Sequence, residues 1–349
     1  VVNADLRSAG GTISLGNNVA NASTTGITFV AADSQALPAT RDLLIGDGVT
    51  LSTRGRFVND AFLDPEQRLG SAFIDGGRIS LISSQSQEAA LVAGTRGGSG
   101  DQTPQFGEAL DTTGNIRLGA GSRLDVSSGG YVDGDGVLAQ RNFVPAGKGG
   151  DISLITYPRN SVQAEIGTGA SVQDEVGRII AGDGDLRRHL DSHGFRSGGT
   201  LNLRALDIQI GGSVEAGYEG LQLAADFFSD QGFANYQLSS AWDATIAAGS
   251  TVSLSHRNLI ADPLRLIDTA TGSELLAADA SGAPLAVLGR LDDSRRTPTR
   301  LSLVTGDFIN TAISNPGNNP RDASVSGTLL VDAGAAIVAD AEASVTLAS

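Results

Sequence analysis

The chain has 349 residues, 40% of them hydrophobic but only 5% aromatic, with 46 glycines against ten prolines and neither cysteine nor methionine. Without cysteine there are no disulfides, no thiolate catalysis and no cysteine-ligated zinc, and a net charge of −15, with Lys148 the single lysine, leaves no basic stripe for nucleic acid. No apolar run of about 18 residues marks a transmembrane segment, and glycine this abundant without a collagen period points to many tight turns.

Taken in chain order, the first element is a glycine pair followed by an alternating strand, Gly10-Gly11-Thr12-Ile13-Ser14-Leu15. It returns as Gly76-Gly77-Arg78-Ile79-Ser80-Leu81, as Gly149-Gly150-Asp151-Ile152-Ser153-Leu154 and as Gly198-Gly199-Thr200-Leu201-Asn202-Leu203. A second phrase, Gly-x-Gly before a strand, partners it at Gly46-Asp47-Gly48-Val49-Thr50-Leu51, Gly119-Ala120-Gly121-Ser122-Arg123-Leu124 and Gly167-Thr168-Gly169-Ala170-Ser171-Val172. Leu51 to Gly77 and Leu124 to Gly150 are both 26 residues apart, and Val172 to Gly199 is 27. A recurring supersecondary unit is the signature of a repeat architecture. Val, Ile and Leu at equivalent positions of successive turns pack on one another one strand spacing, roughly 4.8 Å, apart.

The expected fold is therefore all-β, a right-handed parallel β-helix (β-solenoid) with protruding loops and an irregular extra-helical segment. Residues 1–217 read as coils interrupted by polar excursions at 59–74, 83–113, 131–148 and 174–196. Residues 218–300 read as an irregular segment. Within it, 221–228 is a strand entering a short helix, 233–239 alternates like a strand, 245–254 is a partial coil, and 262–299 is a long excursion with a helical turn near 275–279. Regular coils resume over 301–349 and are expected to continue beyond the fragment. About a dozen coils would give a rod of the order of 60 Å.

Several groups of residues carry possible chemistry. Asp133, Asp135, Asp183 and Asp185 offer hard oxygen ligands for calcium, but neither the full EF-hand loop nor the Gly-Gly-x-Gly-x-Asp repeat surrounds them. His189 and His193, four apart with Asp191 between them, would align on a helix as a metal pair, against which the neighbouring Arg187-Arg188 reads as a solvated loop. Asp60, Asp64, Asp292 and Asp293 are acids available to a sugar-cleaving site, which needs two carboxylates in opposition. The densest aromatic group supplies Phe227, Phe228, Tyr236 and Trp242 as candidate partner-binding anchors. With Phe233 they equally suit a core that pins the irregular segment, the favoured reading. Asn21-Ala22-Ser23 matches a glycosylation sequon by pattern. No metal, cofactor or catalytic residue is expected.

The phrases Gly119-Ala120-Gly121-Ser122-Arg123-Leu124-Asp125-Val126-Ser127, Gly55-Arg56-Phe57-Val58-Asn59-Asp60, Gly232-Phe233-Ala234-Asn235-Tyr236-Gln237-Leu238 and Gly327-Thr328-Leu329-Leu330-Val331-Asp332-Ala333-Gly334-Ala335 span most of the chain. Together they resemble the large filamentous-haemagglutinin-like exoproteins, bacterial adhesins exported by two-partner secretion. The resemblance implies a right-handed parallel β-helical shaft, passage through an outer-membrane transporter, and a secreted or cell-surface location outside the bacterial outer membrane. It implies attachment to a glycan or protein of host or bacterial surfaces. The secretion domain that such proteins carry near their amino terminus has no recognisable counterpart here, so the segment is expected to be shaft. The alternatives are a carbohydrate-active parallel β-helix enzyme (a lyase or depolymerase), or the stalk of a contact-dependent toxin or haem-acquisition exoprotein, because a shared fold does not fix the ligand.

Overall fold

The glycine-pair phrases all open strands of one sheet. A computed structural model describes residues 1–17, 42–83, 114–156, 177–278, 282–306 and 327–349. The phrase at 167–172, the Asn21 sequon and nearly all of the 83–113 excursion lie outside those residues. Strands Thr12–Asn17, Arg78–Ser83, Asp151–Thr156, Thr200–Ala205, Asn235–Ser240, Arg300–Val304 and Ser344–Ala348 form a seven-stranded sheet in which spatial neighbours are successive in the chain. Every pair is parallel. The protein is thus an all-β chain with a large parallel sheet, each pass adding one strand to it. Register converts the repeated phrase into two side-chain columns. Ile13, Ile79, Ile152, Leu201, Tyr236, Leu301 and Val345 make one, and Leu15, Leu81, Leu154, Leu203, Leu238, Leu303 and Leu347 the other. From Ile79 to Leu203 these residues are fully buried, and each contributes about 1.5–3 kcal/mol of apolar transfer.

The glycine pairs have a packing reason. A Cβ on Gly77 would strike the carbonyl oxygen of Gly11, one on Gly150 that of Gly77, and one on Gly199 that of Gly150, each closer than the 3.0 Å that real Cβ atoms keep. The first glycine of each pair is blocked likewise: Gly76 by the Val126 carbonyl, Gly149 by Ser192 and Gly198 by Gly232. The main chain of each pass therefore lies directly on that of the pass before, which only glycine permits.

The Gly-x-Gly phrases form a stacked corner. Strands Leu43–Ile45, Ile116–Leu118 and Ile179–Ala181 pair in parallel and lead through the corner into Thr50–Ser52, Arg123–Asp125 and Leu190–Asp191, also parallel. Gly48, Gly121 and Gly184 turn each corner with φ of 68°, 68° and 72°. The third described corner is therefore Gly182-Asp183-Gly184. Its strand Leu190–Asp191 aligns Leu190 with Leu124.

The stretch 218–300, irregular by sequence, contributes strands to the same stack. Leu221–Leu223 enters the 3₁₀ turn Phe227–Ser229, and Asn235–Ser240, Ala244–Ile246 and Thr251–Leu254 follow. One sheet runs in the order Leu221–Leu223, Ile208–Ile210, Ala244–Ile246, Leu329–Val331, so the chain doubles back once before resuming its climb. At that level the column holds Tyr236 instead of an aliphatic residue.

One described excursion from the stack is a flap. Strands Asn258–Ala261 and Ala286–Gly289 pair antiparallel, with the short helix Pro263–Ile267 between them, capped by the Asp262 carboxylate accepting from Leu264 N. The flap packs on the flank through a separate cluster of Phe57, Val132, Leu138, Phe195, Leu259, Leu266, Leu275 and Leu285. Residues 275–278 form a turn and not a helix. Seven strands span six spacings, about 29 Å among the described residues, half the rod length expected from sequence. The chain spends its length on excursions: successive aligned positions lie 35 residues apart from Leu201 to Tyr236 but 73 from Ile79 to Ile152. No described helix is long and apolar enough to cross a membrane.

Candidate functional site

Immediately after the Gly-x-Gly corner, three passes repeat one local device. Ser52 Oγ accepts from Arg54 N at 3.3 Å, Asp125 Oδ1 from Ser127 N at 3.0 Å, and Asp191 Oδ1 from His193 N at 3.1 Å. A short polar side chain bonding the amide two residues on closes a turn, and register stacks Ser52, Asp125 and Asp191 above one another. Two carboxylates are thereby held on adjacent strands. Arg123 pairs with Asp191, and His193 Nδ1 lies 2.6 Å from Asp191 Oδ1 while its Nε2 lies 2.6 Å from the Asp230 carbonyl.

The environment separates the two acids. Burial, and then the charge of Asp191, raise the Asp125 carboxyl above its usual range against the pull of Arg123 and Ser127. Burial acts on Asp191 in the same direction but is outweighed by His193 and Arg123, which hold its carboxyl well below that range. Like charges on neighbouring strands oppose each other's ionisation, and the unequal share of His193 and Arg123 drives the two carboxyls in opposite directions.

Asp125 lies on the wall of a cavity of about 160 Å³ between flank and flap. The flank wall holds Arg54, Arg123, Asp125, Ser127 and Ser128 with the backbone of Gly55 and Gly129; the flap wall holds Leu259, Ser273, Glu274, Leu275, Leu276 and Ala277. Arg54 Nη1 meets Glu274 Oε1 at 3.0 Å across the rim. The flap is fixed in place: Leu259 N donates to Gly194 O, Gly272 N to Phe57 O, and Asn59 Nδ2 to the Ile267 and Thr269 carbonyls at 2.7 and 2.8 Å. Asn59→Ala is expected to cost about 1–3 kcal/mol and to release the flap first. Limited proteolysis should then cut within 260–290 at least several-fold faster while the stacked strands stay protected.

The residues singled out in the sequence take other places. Asp133 Oδ1 accepts from the amides of Asp135 and Val137, closing its own loop. Asp185 caps the 3₁₀ turn Leu186–His189 and pairs with Arg187. Asp183 is a corner residue whose Oδ2 accepts from Gly121 N at 3.2 Å, the counterpart of Asp47 Oδ1 accepting from Ala120 N at 2.8 Å. Among the described residues, no three His, Asp or Glu converge as a metal site. His189 and His193 do not share a helix face: His189, buried, bonds Ser122, and His193 lies two residues past the strand Leu190–Asp191. Asp60 receives the Leu69 and Gly70 amides as a loop clamp, and Asp293 pairs with Arg296. The binding reading of Phe227, Phe228 and Tyr236 is corrected: all three are buried. Phe228 and Tyr236 meet edge to face at 5.0 Å, and Phe227 and Phe233 close on the same ring at 6.3 and 6.0 Å. Aromatic volume fills the core where the chain doubles back. Trp242 is half-buried against Ala241 and Leu206.

Asp125, Asp191 and Arg123 were missed as a site. The signal was present in the spacing, because Asp125-x-Ser127 and Asp191-x-His193 occupy equivalent places after successive corners. His256 is a further buried group of this region, bonded to Thr299 Oγ1 at 3.2 Å. Burial, with Arg296 and His193 adding to it, pulls its pKa down to about 4. A histidine whose folded pKa lies below the usual value near 6.5 supports the fold fully above that pH and loses the contribution as pH falls toward about 4. The melting temperature should therefore fall over this window, and His256→Gln should flatten that part of the profile.

No family model matches the chain, no curated protein matches it, and no solved structure matches its fold.

Proposed function

We propose that the chain is an extracellular shaft segment of a bacterial surface adhesin of the filamentous-haemagglutinin-like kind, providing reach and display for attachment to cells or matrix. The observation that supports it is the seven-stranded parallel sheet whose strands stack in chain order. Parallel strands joined by crossovers in one sheet are right-handed in about 98% of cases, which favours reading the stack as a right-handed β-helix. Each pass needs only its predecessor as template, so such a chain can emerge unfolded through an outer-membrane transporter and fold outside, where the lack of cysteine is no handicap. Antibody raised against the purified chain should label intact cells of the producing bacterium, and deletion of residues 1–349 from the expressed protein should reduce attachment. Labelling only after lysis, or attachment unchanged by the deletion, overturns the reading.

One arrangement favours a second reading, a carbohydrate-active enzyme: Asp125, its carboxyl pKa raised, and Glu274 occupy opposite walls of one cavity. Release of reducing or unsaturated ends from a polysaccharide panel, abolished by Asp125→Ala, would establish it in place of the first.

A further inference from the structure

We infer that the cavity between the flank and the flap is a binding pocket for a single neutral sugar unit. This goes beyond display and stands whether or not the chain is exported. The volume, about 160 Å³, has room for one six-membered ring, as a cavity of about 150 Å³ in another protein has for benzene, with the ring's substituents directed to the rim. Its two walls differ in chemistry. The flank presents guanidinium, carboxyl and hydroxyl groups, while the flap presents Leu259, Leu275 and Leu276 beside Ser273 and Glu274. A pyranose has the same asymmetry, with hydroxyls around its rim and a C–H face that packs on aliphatic side chains.

Charge excludes ionic ligands. The lining carries two guanidinium groups, Arg54 and Arg123, and two carboxyl groups, Asp125 and Glu274, with Arg54 matched by Glu274 and Arg123 by Asp191, so neither an anion nor a cation finds an excess of the opposite charge. Guanidinium groups donate hydrogen bonds, and carboxyl and hydroxyl oxygens accept them, as a hydroxyl-rich ligand requires. The pocket is also built in advance. Asp125 is fixed by Ser127 N at 3.0 Å and Ser127 Oγ at 2.6 Å, and the flap is tied down through Asn59, so little ordering is left to oppose binding. Glycine is required at the floor: a side chain on Gly55 or Gly129 would strike the Ile74 or Arg56 carbonyl.

The test is saturation-transfer NMR on the purified chain with glucose, galactose, mannose and N-acetylglucosamine as probes, and glucuronate and glucosamine as charged counterparts. At least one neutral sugar should give a saturable signal that its charged counterpart does not compete. Ala277→Trp, at an exposed rim position that folding tolerates, should weaken it roughly ten-fold or more with an unchanged melting temperature. No saturable signal from any neutral sugar, preference for the charged probes, or binding that survives Ala277→Trp each overturns the inference. None of these results depends on surface labelling or attachment, so the pocket and the shaft fail or stand separately.

Discussion

Gly150→Ala is expected to lower the unfolding free energy by about 4 kcal/mol, far more than an added methyl group costs elsewhere in the chain. The new Cβ would collide with the Gly77 carbonyl oxygen and the Gly76 carbonyl carbon, both backbone atoms of the preceding pass. Neither can rotate aside, and separating the two passes would stretch the parallel hydrogen bonds from Asp151 to Thr156. Gly48→Ala is the control. Gly48 has open space around its missing side chain but a φ of 68°, so it should lose only the local penalty of about 1 kcal/mol. Denaturant midpoints of the two variants measure the contrast. Equal losses would mean that the glycine pairs serve backbone freedom and not close stacking.

Leu154→Asp should be as damaging for a different reason. Leu154 is fully buried between Leu81 and Leu203, and a carboxylate there has no cation or donor to replace water. The expected loss is again about 4 kcal/mol or more, with impaired export if the chain folds after crossing a membrane. Ser153→Asp, one residue earlier on the opposite face of the same strand and half-exposed, should change stability by under about 1 kcal/mol. Circular dichroism melts of both variants would check the alternation. Comparable damage at 153 and 154 would remove the distinction between the two faces.

The legible part of the protein was whatever repeats at short range. Gly-Gly-x-Ile-x-Leu encodes a strand, its buried face and its point of close approach in six adjacent residues, so four of the seven strands of the large sheet could be read directly. Asn235–Ser240 was read as a strand because Tyr236 and Leu238 keep the alternation. The corner at Gly182-Asp183-Gly184 was hidden because its aspartates resembled ion ligands, when Asp183 in fact accepts an amide from the neighbouring corner. The aromatic group was read with its core role favoured, but the reason for its size, the doubling back at Leu221–Leu223, involves a reversal of stacking order that no local pattern records.

The sequence by itself determined the parallel all-β character, the periodic glycine contacts and the identity of the aliphatic columns, because each depends on residues two to six apart and on repetition of the same phrase. Only the tertiary structure decided the site. Asp125 and Asp191 are 66 residues apart and become neighbours through register, and Glu274 reaches Arg54 because a flap folds back across the flank. The lengths of the intervening excursions set which residues meet, and burial together with the unequal share of His193 and Arg123 then shifts the two carboxyls in opposite directions, an effect of distance and solvent exclusion that no linear pattern contains.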